Sequence, residues 1–234
     1  MRQIFLDTET TGLNAEGGDR IVEIGCVEMV GRRLTGDNRH YYLNPQRPSH
    51  PDALRVHGLT DDFLADKPRF EAVADELMSY LAGADVVIHN ASFDIGFLDK
   101  ELERCGRPGV AAQVAQITDS LLMAREMYPG KSNSLDALCK RLEVDNSNRT
   151  LHGALLDAGL LAEVYICMTR GQGSLVIDET ESRDANGAVE AVDLSAFVLP
   201  LQLPSEEEVK AHRALLADID KASRGKLLWQ ADLA

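Results

Sequence analysis

The sequence predicts an α/β fold, a mixed β-sheet flanked by helices, followed by a flexible acidic linker and a helical C-terminal segment. Three observations carry that expectation. Short runs rich in β-branched residues stand near the start, at QIFLDT (3–8) and IVEIGCVEMV (21–30). Segments with helical spacing then alternate with further short strands, the pattern of a sheet covered by helices. After Arg170, large apolar residues give way to acids and small polar residues, the composition of a linker.

In order, 3–8 reads as a buried strand and 21–30 as a second, closed by the turn at Gly31. A third strand is expected over 34–43, ending before Asn44-Pro45. Phe70, Val73, Leu77 and Leu81 fall on one helical face and define a helix over 70–82. Val86-Val87-Ile88 is a compact buried strand, and a helix runs from Ser92 to about Arg104, stopped by Gly106. A strand near 114–118, helices over 119–128 and 134–142, and a long helix over 153–170 complete one domain, 1–177. The acidic stretch 178–204 is the expected linker. From Ser205 a capping box with Glu208 opens another helix, acids crowd its first turn, and Lys221 and Arg224 sit at its far end, matching the helix dipole. Val209, His212, Leu216 and Ile219 share one face, and Leu227, Leu228 and Trp229 follow. No internal repeat is visible.

The balance is acidic, with 38 Asp and Glu against 24 Lys and Arg. Gripping nucleic acid requires Lys and Arg in quantity, so a formal charge of −14 excludes a protein that holds it by its own field. A substrate with phosphates would need metal ions or a basic partner. No apolar run reaches the ~20 residues of a membrane span, and MRQIFLDTET does not resemble a leader. Cys26, Cys105, Cys139 and Cys167 form no CxxC pair and read as buried reduced thiols. A cytoplasmic protein is expected.

The most informative residues are acids where apolar side chains belong. Asp7 and Glu9 are two apart on an extended segment, so they share a face. Asp94 lies in the apolar stripe of Phe97, Leu98 and Leu102, and Asp157 in that of Leu160, Leu161 and Val164. A lone buried carboxylate costs several kcal/mol unless paired or bound to metal. A cap or a salt bridge would explain any one of them. Four together, with no Lys or Arg at a matching buried position, point to a hard divalent cation, Mg²⁺ or Mn²⁺. Two such ions are suited to phosphodiester cleavage. His152 precedes Asp157 by five residues, roughly 140° away on a continuous helix. Gly153 suggests instead that His152 lies on the loop before the helix and folds back, placed to act as general base.

These residues carry a resemblance. Asp7-Thr8-Glu9-Thr10-Thr11-Gly12, His89-Asn90-Ala91-Ser92-Phe93-Asp94 and His152-Gly153-Ala154-Leu155-Leu156-Asp157 resemble the three ordered motifs of the DEDDh 3′→5′ exonucleases. Within that family, Val56-His57-Gly58-Leu59-Thr60 and the stretch from Tyr128 to Asp157 are most similar to the proofreading epsilon subunits of bacterial DNA polymerase III. The likeness covers about 1–177 closely and the tail in general character. It implies a ribonuclease H-like fold, with Asp7, Glu9, Asp94 and Asp157 binding two metals and His152 as base. It also implies that Thr10, Leu13, Val56, His57, Asn90 and Phe93 line the pocket for a single-stranded or frayed 3′ DNA end, each with a packing alternative. Gln172-Gly173-Ser174-Leu175-Val176-Ile177 is similar to the short peptides that dock on a sliding clamp, through Gln172, Leu175 and Ile177; a strand packing on the core is the alternative. The tail, through Val209, Leu216, Ile219 and Trp229, would bind the replicative polymerase alpha subunit, unless its helix packs back on the domain. A small accessory subunit is a further implied partner. Two rival functions share the motifs: an RNA-trimming exoribonuclease, and a non-catalytic assembly subunit.

Overall fold

The computed structural model describes residues 2–147, 151–170 and 204–223. The chain divides into two units, Met1–Ile177 and Asp178–Ala234. The clamp-like peptide, the linker up to residue 203, and Leu227, Leu228 and Trp229 lie outside the described residues.

In the first unit, strict alternation along β1 (Arg2–Thr10) sends Ile4 and Leu6 to one face of a sheet and Phe5 to the other, all fully buried. That is why the strand sits in the middle of the sheet. It pairs antiparallel with β2 (Ile21–Val30) and parallel with β5 (Asp85–Ile88), which in turn pairs parallel with β6 (Gln116–Asp119). The predicted third strand is instead two, β3 (Arg33–Leu34) and β4 (Arg39–Tyr42), both on the outer edge of β2. Gly36, at φ +82°, interrupts the pairing between them, so a single strand over 34–43 is corrected.

Parallel pairing needs crossovers, and two helices supply them on one face: α3 (Phe70–Leu81) and α4 (Ala91–Arg104). Their apolar sides close a core with Ile4, Leu6, Ile24 and Cys26. On the other face, Phe5, Val27, Met29 and Val87 pack under α5 (Ser120–Met127), α6 (Leu135–Leu142) and α7 (Ala154–Met168). The sequence reading left 44–69 without an element. The structure finds α1 (Pro51–His57) and α2 (Asp61–Leu64) there, the first with proline at its start and Gly58 in the left-handed region at its end. The segment after Arg170 is not described until Pro204. In the second unit, α8 (Glu206–Ser223) opens on the expected capping box: Ser205 Oγ accepts from Glu208 N, and Glu208 accepts from Ser205 N. None of its residues is buried.

Candidate active site

Three chain segments meet at one end of the sheet. β1 runs four residues beyond the apolar trio Ile4-Phe5-Leu6 and carries Asp7 and Glu9 on one face. β5 ends at Ile88, and α4 begins at Ala91 after Asn90, whose φ of +70° turns the chain sharply. Asp119 fixes that turn: its carboxylate accepts from Asn90 N and Ala91 N at 3.3 and 3.1 Å while also capping α5. The turn directs Asp94 inward. The third segment is the N-terminus of α7, set directly on β2. A Cβ on Gly25 would stand 2.1 Å from Leu155 N, so only glycine permits this approach.

Asp7, Glu9, Asp94, Asp157 and His152 all line one cavity of about 280 Å³, with Asn90 and Phe93 at its rim. Glu9, His152 and Asp157 offer ligand atoms within 4.8 Å of one another. His152 lies outside α7, on the loop side of Gly153, and its Nδ1 is 3.2 Å from Asp157 Oδ2. The imidazole is 44% exposed while Asp157 is almost fully buried, so the ring reaches solvent from a dry carboxylate.

Asp94 Oδ1 accepts from both Thr8 N (3.0 Å) and Thr8 Oγ1 (2.7 Å). Burial pushes the Asp94 carboxyl up to about 7, outweighing the Thr8 hydrogen bonds that pull it down, with the charge of Asp119 adding to the rise. A carboxyl so desolvated is held in its ionised form more readily when a cation lies beside it. Carboxylate oxygens with one imidazole, gathered around such a cavity, fit a divalent metal ion.

The other expected substrate residues are divided. Leu13 and Val56 line a separate cleft of about 700 Å³ with Gly12, Asp19, Arg47 and Ser49. Both present exposed apolar side chains, Leu13 at 86% and Val56 at 44%. The main chain joins this cleft to the acids, because His152 N donates to Val56 O at 3.1 Å. Thr10 and His57 are buried instead: Thr10 Oγ1 donates to Gly12 O, and His57 Nδ1 accepts from Leu59 N. Neither lines either cavity.

Sequence reasoning missed Thr8, Asp119, His89, Ser134 and Asp136. Thr8 holds Asp94, Asp119 holds the turn, and the other three line the cavity. Asp119 was legible as a cap, standing before Ser120 and an apolar run. The Thr8 contact spans 86 positions, and no local signal announces it.

The exonuclease (RNase T) family profile matches residues 4–165. The chain is 52% identical over 241 residues to "DNA polymerase III subunit epsilon" of Pasteurella multocida, covering 100% of this chain and 95% of that one. It is 51% identical to the protein of the same description from Escherichia coli, covering 98% of each. Among solved structures, exonuclease X in complex with 5′ overhanging duplex DNA superposes with a TM-score of 0.55 at 27% identity, covering 73% of this chain and 93% of that one. A complex of E. coli exonuclease I with single-stranded DNA, at 20% identity and a TM-score of 0.66 over 73% of this chain and 41% of that one, shares the fold. The chain belongs to the exonuclease family and, within it, to the epsilon subunits of bacterial DNA polymerase III.

Proposed function

We propose that this chain is the 3′→5′ exonuclease that proofreads for a bacterial replicative polymerase, removing mispaired 3′-terminal nucleotides as 5′-mononucleotides. The observation that carries the reading is the meeting of Asp7, Glu9, Asp94, Asp157 and His152 around one cavity from three distant segments. Full-length likeness to epsilon subunits selects DNA and the polymerase over RNA trimming.

The four carboxylates would hold two divalent ions, Mg²⁺ or Mn²⁺. Such ions supply Lewis-acid stabilisation of the charge that builds on the scissile phosphate. Thr8 keeps the Asp94 carboxylate in one orientation through two hydrogen bonds. His152 takes the proton of the attacking water. With Nδ1 against Asp157, Nε2 is the receiving atom, and the carboxylate stabilises the imidazolium that results. Asn90 and Phe93 in the acid cavity contact the 3′-terminal nucleotide, and Leu13 and Val56 in the neighbouring cleft contact the strand leading to it, with Thr10 and His57 supporting them from behind.

Beyond the described residues of the first unit, Gln172, Leu175 and Ile177 would engage the sliding clamp. Val209, Leu216 and Ile219, with Trp229 beyond the described residues, would engage the polymerase alpha subunit. Leu215 and Ile219 on α8 are exposed, and an apolar surface of this kind suits a partner. A small accessory subunit could bind the nuclease unit. No described helix is long and apolar enough to cross a membrane. We place the protein in the cytoplasm, at the replication fork.

The test is digestion of a primer with a mispaired 3′ end, beside a short RNA, in Mg²⁺ and in EDTA. One-nucleotide steps from the 3′ end, dependent on metal and faster on DNA, are expected. Preference for the RNA, attack from the 5′ end, or no metal-dependent digestion would overturn the reading.

A further inference from the structure

Leu13 is the most exposed large apolar residue described, and it stands on a loop with two consecutive glycines, Gly17 and Gly18. The loop holds its own turn through Gly17 N to Asn14 Oδ1 at 2.8 Å, Gly18 N to Ala15 O at 3.2 Å and Asp19 N to Asn14 O at 3.0 Å. The Asp19 side chain ties that turn to the rest of the fold. Its carboxylate accepts from Asn14 N at 3.0 Å and Thr11 Oγ1 at 3.1 Å, and pairs with the Arg47 guanidinium at 3.2 Å. Gly12 makes room for it, since a Cβ there would stand 2.4 Å from Asp19 Oδ2. The neck of the loop is closed by Thr11 N to Arg20 O and by Arg20 N to Thr11 Oγ1, and His50 N to Thr11 O ties it to the segment before α1. Asp19 therefore joins the two walls of the 700 Å³ cleft, Leu13 on one and Arg47 to Val56 on the other.

We infer that Asp19 is a positioning residue for strand binding: it sets Leu13 at a fixed distance from the Arg47–Val56 wall, so that the cleft takes the single strand leading to the 3′ end. This rests on the exonuclease reading above. Asp19 lies outside the acid cavity, so its effect falls on strand affinity and not on bond cleavage. An exposed leucine immobilised before binding loses little freedom when a nucleotide packs on it, whereas a loose loop would have to be ordered at that moment.

The full chain is assayed on a single-stranded oligonucleotide and on the p-nitrophenyl ester of thymidine 5′-phosphate, which carries no upstream strand. Asp19→Ala should raise KM for the oligonucleotide about tenfold with kcat little changed, the mark of lost uniform binding. Hydrolysis of the ester should stay at the wild-type rate. Asp19→Asn, which keeps an acceptor for Asn14 N, should fall between. Leu13→Ala should raise KM similarly, and Asp19→Ala should add little on that background, because the two act through one contact. Unchanged oligonucleotide KM in Asp19→Ala, equal loss on both substrates, or full additivity with Leu13→Ala would overturn the assignment. Failure of the wild type on both substrates would remove the exonuclease reading itself, and this inference with it.

Discussion

At the scale of single residues, His152 and Asp94 carry the sharpest expectations. His152→Ala should lower turnover by about 10²–10⁴-fold, the usual worth of a positioned base. The acid limb of the wild-type pH–rate profile should vanish in the variant. An identical pH–rate profile would remove His152 from the proton transfer. Asp94 gives a stability prediction. Its carboxyl is raised to about 7 by burial, against ~3.9 in an unfolded chain. The folded metal-free protein therefore holds that proton more tightly. The contribution is fully present below about pH 4 and is lost as pH rises through about 7. Buried His57 and His89 are depressed by burial, and they oppose it by favouring the fold at higher pH. Comparison with Asp94→Asn isolates the carboxyl: urea midpoints in EDTA should fall with rising pH more steeply in the wild type than in the variant. Equal slopes would show that the carboxyl titrates normally.

At the scale of elements, the glycine under α7 is the strictest fit in the first unit. Gly25→Ala drives a Cβ into the backbone at Ala154 and Leu155, where no side chain can rotate away. The helix must move, and Asp157 and His152 move with it. A loss of about 1–3 kcal/mol in unfolding free energy is expected, together with exonuclease activity falling by more than stability alone explains. Wild-type values for both would mean that α7 does not seat on Gly25. This contact also shows where sequence reading reached its limit. Asp94 and Asp157 were legible because carboxylates inside apolar stripes violate the burial rule, Asp7 and Glu9 because they share one face at the end of an apolar strand, and His152 because it precedes Asp157 across Gly153. The helices α3, α4 and α6 were legible by period, and α7 by its length and apolar content. The break between β3 and β4 was not, because Tyr41, Tyr42 and Leu34 suit a strand and only Gly36 hints otherwise. The short helices α1 and α2 are set by Pro51, the Thr60 cap and Gly58, punctuation without enough length for a period to show. The division of the substrate residues between two cavities depends on how the loop 11–20 folds over Asp19, which no spacing encodes.

At the scale of the whole molecule, two units divided after Ile177 suggest a division of labour. A chain ending at residue 177 should digest free single strands at the rate of the full chain but fail to co-purify with the polymerase. Residues 178–234 fused to an inert carrier should capture it, and Trp229→Ala with Leu216→Asp should abolish capture. A truncated chain that still co-purified would move the polymerase contact to the nuclease unit. Within that unit, the order of the segments has a consequence for how the protein is made. Asp7 and Glu9 leave the ribosome first, Asp94 much later, and His152 and Asp157 near the end of the unit. β1 cannot pair with β5 until the chain between them has been synthesised, and α7 must dock last. No nascent fragment short of α7 contains the full set of acids. Synthesis interrupted before α7 therefore releases a chain without the complete acid set, whereas interruption after it leaves that set whole.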